Sequence, residues 1–215
     1  MGTGDVIDRL RSAVIAGDIQ VTGALTEKAL QGGAAPGELL TETLIPAMDE
    51  VGASYEAGEL FVPEMLVAAE AMKRALVVLR PCLAEAGISS AGRVIIGTVE
   101  GDLHDIGKDL VAMMLEGAGF EVVNLGTEVP ADRFVDAVRE QKAGVLAMSA
   151  LLTTTMIRMP EVLDALRHAG LRDDVKVIVG GAPLSAAYAD EIGADGYAAD
   201  APRAVRLVRR LLDAK

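Results

Sequence analysis

The sequence predicts an α + α/β protein: a four-helix bundle followed by a five-stranded parallel sheet with helices on both faces. Three observations predict it. Up to about residue 88 the apolar residues recur only at helical spacing. From residue 93 onward, short β-branched runs alternate with amphipathic stretches of helical length. Between the two lies Ala86-Gly-Ile-Ser-Ser-Ala-Gly92, a small-residue run that reads as an interdomain linker.

In the first part, Val6, Leu10, Val14 and Ile15 line one helix, which Gly17 stops and after which Asp18 caps the next. Val21, Leu25 and Leu30 line that second helix up to Gly32-Gly33. Pro36 opens a third, carrying Leu39, Leu40, Leu44, Ile45, Met48 and Val51, with a kink expected at the internal Pro46. The turn Tyr55–Val62 leads to Pro63, well placed in the first turn of a fourth helix that should end near Pro81 or shortly after. Four helices with short connections make an antiparallel bundle. By pattern alone Phe61 and Met65, at the start of the last helix, are core positions.

In the second part Val94-Ile-Ile96 is strand one, and a helix follows from about Lys108 to Ala118. Glu121–Leu125, Gly144–Ser149, Val175–Gly180 and Asp195–Ala199 are strands two to five. The helices between and after them are expected at Ala131–Gln141, about Thr155–His168, about Leu184–Ile192 and Ala201–Leu212. The expected strand order is 2-1-3-4-5, a flavodoxin-like, Rossmann-type sheet with its switch point between strands one and three.

Composition bounds the function. Half of the 215 residues are apolar, so a substantial core can be buried, and the net charge of -12 argues against phosphate backbones and anionic lipid surfaces. With no tryptophan and three each of phenylalanine and tyrosine, base-stacking platforms are also disfavoured. No apolar run reaches membrane-spanning length and no signal segment opens the chain, so a cytoplasmic protein is expected. The single cysteine, Cys82, forms no internal disulfide and reads as a small helix filler.

Chemistry concentrates at Gly101-Asp102-Leu103-His104-Asp105-Ile106-Gly107, the loop after strand one. In an open α/β sheet, loops at the carboxyl ends of strands bind ligands. A carboxylate two residues before a histidine can accept from one ring nitrogen, fix the tautomer and leave the other nitrogen for a metal. A plain helix cap is the alternative at this spacing. The loop after strand three, with Ser149 and Thr153-Thr-Thr155, opens onto the same crevice, and the loop after strand four begins Gly180-Gly181.

Together these residues resemble the cobalamin-binding domains in which a protein histidine displaces the cofactor's own benzimidazole. The pattern is Asp-x-His-x-x-Gly, Ser-x-Leu and Gly-Gly, here Asp102-Leu-His104-Asp-Ile-Gly107, Ser149-Ala-Leu151 and Gly180-Gly181. Gly58–Met72 is similar to the helical cap that precedes this domain in methionine synthase and in the small corrinoid proteins of methylamine, methanol and methoxy-aromatic methyltransferase systems. The resemblance thus implies a cap domain over residues 1–88 and a cobalamin-binding domain over 89–215.

It also implies roles. His104 would be the lower axial ligand of cobalt, with Asp102 accepting from its other nitrogen. Thr155, where methionine synthase has a serine, would complete a relay with Asp102. Gly101, Leu103, Asp105, Ile106 and Gly107 would contact the cofactor beside His104. Ser149, Leu151 and Thr153 would line the slot for the displaced nucleotide tail, Gly180 and Gly181 would let it pass, and Tyr197 to Ala201 would touch the nucleotide. Phe61 and Met65 would cover the methyl-bearing face, which reverses the core reading of Phe61.

The function implied is a non-catalytic methyl carrier. It would take a methyl group from a substrate:corrinoid methyltransferase, pass it to a second methyltransferase acting on tetrahydrofolate or a thiol, and be maintained by a reductive activase, with no nucleic-acid or membrane partner. The alternative is a cobalamin-binding sensor or regulatory module, but light-responsive regulators of that layout carry a DNA-binding segment and a tryptophan. Radical mutases need a substrate barrel that this chain lacks, and a plain receiver domain does not account for the three-part pattern.

Overall fold

The computed structural model describes residues 3–88 and 90–213; Ser89, in the expected linker, lies outside the described residues. The chain divides into two compact units. One runs up to Ala91 and includes Glu116–Gly119, and the other comprises Gly92–Leu115 and everything from Phe120 onward.

The helical unit contains α1 (Thr3–Ile15), α2 (Ile19–Gln31), a composite third helix, and α5 (Val62–Glu85). Asp18 caps α2 by accepting from the Val21 N–H at 3.0 Å. At the start of α5 the Glu64 carboxylate accepts from the Phe61 N–H at 3.0 Å, and Pro63 occupies the first turn where no donor is needed. Leu10, Val14, Leu25, Leu44, Met48, Val51, Met72 and Leu79 are buried in this unit.

The third helix departs from the α ladder one turn before the expected kink. It comprises α3 (Pro36–Glu38), a π-helical stretch (Leu39–Leu44) and α4 (Ile45–Glu56), with the Ile45 N–H reaching back to the Leu40 carbonyl. Pro46 has no N–H for the carbonyl four residues back and its ring crowds that carbonyl, so the widened turn falls just ahead of it. Pro81 does not stop α5, which continues to Glu85. The carbonyl it leaves without a helical donor belongs to Val77, an exposed residue that water can reach.

The other unit is a five-stranded, all-parallel sheet in the order β2-β1-β3-β4-β5. The strands are β1 (Arg93–Thr98), β2 (Glu121–Asn124), β3 (Val145–Ser149), β4 (Lys176–Gly180) and β5 (Gly196–Ala198). Central strands of a parallel sheet are covered on both faces, so Val94, Ile95 and Ile96 are all buried. On one face Ile95, Leu146, Met148, Val177 and Val179 pack with Phe134 and Leu163. The crossovers are α6 (Ile106–Gly117), α7 (Ala131–Gln141), α8 (Thr153–Met156) with α9 (Met159–His168), and α10 (Ala186–Ile192), and α11 (Ala201–Asp213) is the last helix.

The single helix expected over about Thr155–His168 is two, α8 (Thr153–Met156) and α9 (Met159–His168). Pro160 lies in the first turn of α9 and lacks the N–H that a continuous helix would give to the Met156 carbonyl, so the ladder breaks there. Among the described residues no helix is long and apolar enough to cross a membrane.

Candidate functional site

Strand β1 ends at Thr98, and the loop that follows is pinned from both sides. The Val99 N–H donates to the Ser149 carbonyl at 3.0 Å, joining the ends of β1 and β3. The Asp102 N–H donates back to Val99 at 3.2 Å, and the Glu128 N–H donates to the Asp102 carbonyl at 3.1 Å. Buried Thr98 gives its hydroxyl to the His104 carbonyl at 3.0 Å. A loop satisfied in this way presents its side chains in fixed directions.

Asp102 is the hub. Its carboxylate is fully buried and accepts four hydrogen bonds. Oδ1 takes the His104 N–H at 3.1 Å and the His104 ring Nδ1–H at 2.7 Å. Oδ2 takes the Leu151 N–H at 2.8 Å and the Thr155 hydroxyl at 2.6 Å. Burial by itself would raise this pKa. The donations from Thr155, the Leu151 N–H and His104 outweigh it and hold the carboxyl far below the ordinary carboxylate range.

An ionised carboxylate only accepts, so Nδ1 carries the proton and the lone pair of His104 lies on Nε2. The His104 side chain is 52% exposed, so that lone pair is available to a ligand from solvent. The Thr155 oxygen also lies 3.0 Å from the Leu152 carbonyl. It has one proton, and the charged acceptor takes it because the Leu152 carbonyl already accepts from the Thr155 and Met156 N–H groups.

The other expected site residues distribute unevenly. Gly101, Leu103, Asp105, Ile106 and Gly107 are exposed around His104, with Ile106 80% exposed, and Leu151 and Thr153 are exposed on the loop after β3. Ser149 is half-buried at the end of β3, in register with Thr98 on one side and Gly180 on the other. At Gly181 φ is +130°, and a Cβ there would lie 1.9 Å from the Ala150 carbonyl oxygen. The bare backbone at 181 is therefore required first by the neighbouring loop. Gly107 has open space where a Cβ would stand, so nothing in the protein's own packing demands glycine there.

Two of the expected contact residues, Met65 and Ala201, are buried. Phe61, in the helical unit, is 67% exposed, whereas Met65 is fully buried and offers no side-chain surface to a ligand. Ala201 is buried with Pro202, Ala204 and Val205 in the packing of α11 and offers no side-chain surface. Tyr197 is half-buried on β5.

Other contributors carried little sequence signal. The Leu151 and Glu128 N–H groups are backbone donors that any residue supplies. Leu152, on the loop after β3, and Ile157, at the C-terminal end of α8, are further exposed apolar side chains outside any periodic pattern. Lys108, at the start of α6, is buried; its ammonium pairs with Asp109 and donates to Asn124 Oδ1 at 2.9 Å. Thr98, a hydroxyl closing an apolar strand, was the one legible clue among them.

Comparison with known proteins agrees across the chain. Residues 92–206 match the family described as B12 binding domain, and residues 6–80 match a second family of the same description. Trimethylamine corrinoid protein 1 of Methanosarcina acetivorans is 43% identical over 210 residues, covering 97% of each chain. The crystal structure of a cobalamin-binding protein from Desulfitobacterium hafniense superposes with a TM-score of 0.80 at 32% identity, covering 95% of this chain and 98% of that one. The methanol:cobalamin methyltransferase complex MtaBC from Methanosarcina barkeri gives 0.87 at 27% identity, covering 98% of this chain and 81% of that one.

Proposed function

The chain belongs to the cobalamin-binding corrinoid proteins of methyltransferase systems, and from that premise we propose a methyl carrier that holds the corrinoid through His104 with the cofactor's own base displaced. The observation that carries this reading is the pairing of His104 with Asp102: Nδ1 is committed at 2.7 Å to a buried, ionised carboxylate, while half of the His104 side chain is exposed. The donor set fits the cofactor. A metal already held by a macrocycle would need one imidazole from the protein, and the exposed apolar side chains of Leu103, Ile106, Leu151 and Leu152 would suit a large, partly apolar ligand.

When bound, the corrinoid supplies the cobalt centre that accepts and gives up the methyl group. The chain's own residues do the rest. His104 would offer Nε2 to the metal, and Asp102, by accepting from Nδ1–H, fixes the tautomer and orientation of the ring. Thr155 and the Leu151 N–H keep Asp102 ionised and oriented. Ser149, Leu151 and Thr153 would line a slot for the nucleotide tail, with Gly180 and Gly181 beside it.

The partners are a substrate-specific methyltransferase, a second methyltransferase acting on tetrahydrofolate or a thiol, and a reductive activase. The complex MtaBC supports the first of these by its name. Mixing the protein with hydroxocobalamin and recording the visible spectrum tests the ligation. The expected result is a bound, histidine-ligated corrinoid whose spectrum changes to a water-ligated form in His104→Gln. A spectrum identical in the two proteins would refute it.

A further inference from the structure

The Met156 carbonyl closes helix α8, one residue after Thr155. In a continuous helix it would be bonded by the amide four residues on, but that residue is Pro160 and has no N–H. The missing donor comes from elsewhere in the sheet unit: the Tyr188 hydroxyl donates to the Met156 carbonyl at 2.9 Å. Tyr188 lies in the first turn of α10, where its own N–H is held by Ser185 Oγ at 3.2 Å.

We propose that Tyr188 is a positioning residue for the axial imidazole: by bonding the Met156 carbonyl it fixes α8, which fixes Thr155 on Asp102, which in turn holds His104. Each link is a direct hydrogen bond or an adjacent residue. Tyr188 donates to Met156, Thr155 precedes Met156 in a four-residue helix, and the Thr155 hydroxyl lies 2.6 Å from Asp102 Oδ2. So short a helix has little cooperativity of its own and depends on outside bonds for its geometry. Burial of the ring, with the nearby Glu191 carboxylate second, pushes the Tyr188 pKa up, so the hydroxyl keeps its proton and stays a donor. Because α10 follows the Gly180-Gly181 loop, the same residue ties the glycine edge to the imidazole edge.

This inference rests on the reading of His104 as cobalt ligand only for its second readout. The test uses Tyr188→Phe, which deletes one oxygen, and Ser185→Ala, which weakens the cap of α10 but leaves the hydroxyl in place. Amide hydrogen exchange of the full ligand-free chain is the first readout. The expectation is exchange at the Thr155–Arg158 amides at least about tenfold faster in Tyr188→Phe, and near wild type in Ser185→Ala. The second is the hydroxocobalamin spectrum, in which Tyr188→Phe lowers the histidine-ligated fraction and Ser185→Ala does not. Unchanged exchange in Tyr188→Phe, or equal acceleration in both variants, would overturn the proposal. Changed exchange with an unchanged spectrum would overturn the link from α8 to His104. The spectrum of His104→Gln separates either failure from a failure of the ligand assignment.

Discussion

Asp102 and Thr155 stand 53 positions apart in the chain and 2.6 Å apart in the fold, their side chains joining the loop after β1 to the helix after β3. The carboxylate that fixes the tautomer of His104 is thus itself held by a hydroxyl from another crossover.

Thr155→Val keeps the shape and removes the donor. A buried carboxylate oxygen then loses one of its two partners, at a cost of about 1–3 kcal/mol. Thr155→Ser retains the hydroxyl and stays within about 0.5 kcal/mol of wild type. Urea unfolding of the ligand-free protein measures both, and equal losses in the two variants would show that the methyl matters and the hydroxyl does not.

The depressed pKa of Asp102 sets a pH dependence. A carboxylate whose folded pKa lies below its unfolded value, about 3.9, contributes stability that is fully present above that value and is lost as pH falls through the folded one. The unfolding free energy of wild type should therefore exceed that of Asp102→Asn at neutral pH, by roughly 2 kcal/mol or more, and by progressively less below about pH 4. A difference that stays undiminished well below about pH 4 would contradict the electrostatic account of Asp102.

The glycines divide between fold and ligand. Gly181→Ala forces a Cβ against the Ala150 carbonyl at a φ that side chains rarely adopt, and should cost about 3 kcal/mol or more in the ligand-free protein. Gly107→Ala meets open space in the first turn of α6, where alanine is the better helix former by about 0.5–1 kcal/mol. It should leave the ligand-free protein as stable or more so, and weaken hydroxocobalamin binding by at least about tenfold. Calorimetric melts and equilibrium titrations distinguish the two, and undiminished affinity in Gly107→Ala would remove that position from the binding surface.

Ile106 has no packing role to lose. Ile106→Ser should leave thermal stability within about 0.5 kcal/mol of wild type and lower hydroxocobalamin affinity roughly tenfold by removing apolar cover. A stability loss with affinity intact would reverse that assignment.

Much of the architecture was legible in the residues. The buried run Val94-Ile-Ile96, the alternation of strands and amphipathic helices, and the glycine-bearing turn before α6 lead directly to a parallel sheet with His104 at its carboxyl edge. The break between α8 and α9 was legible in Pro160, yet three threonines followed by apolar residues read as one helix. The four-fold saturation of Asp102 was not legible, since two of its donors are backbone N–H groups that leave no mark in a sequence. The burial of Met65 was legible in the helical pattern, which makes it a core position; it is the family resemblance that turned it toward the ligand.

The most direct test of the central claim is electron paramagnetic resonance of the cobalt(II) form of the loaded protein, grown with 15N-histidine and charged with unlabelled cobalamin. The axial nitrogen splits each cobalt line, three ways for 14N and two ways for 15N. Ligation by His104 predicts doublets that are lost in His104→Gln; persistent triplets would mean that the cofactor's own base holds the metal and that the imidazole does not.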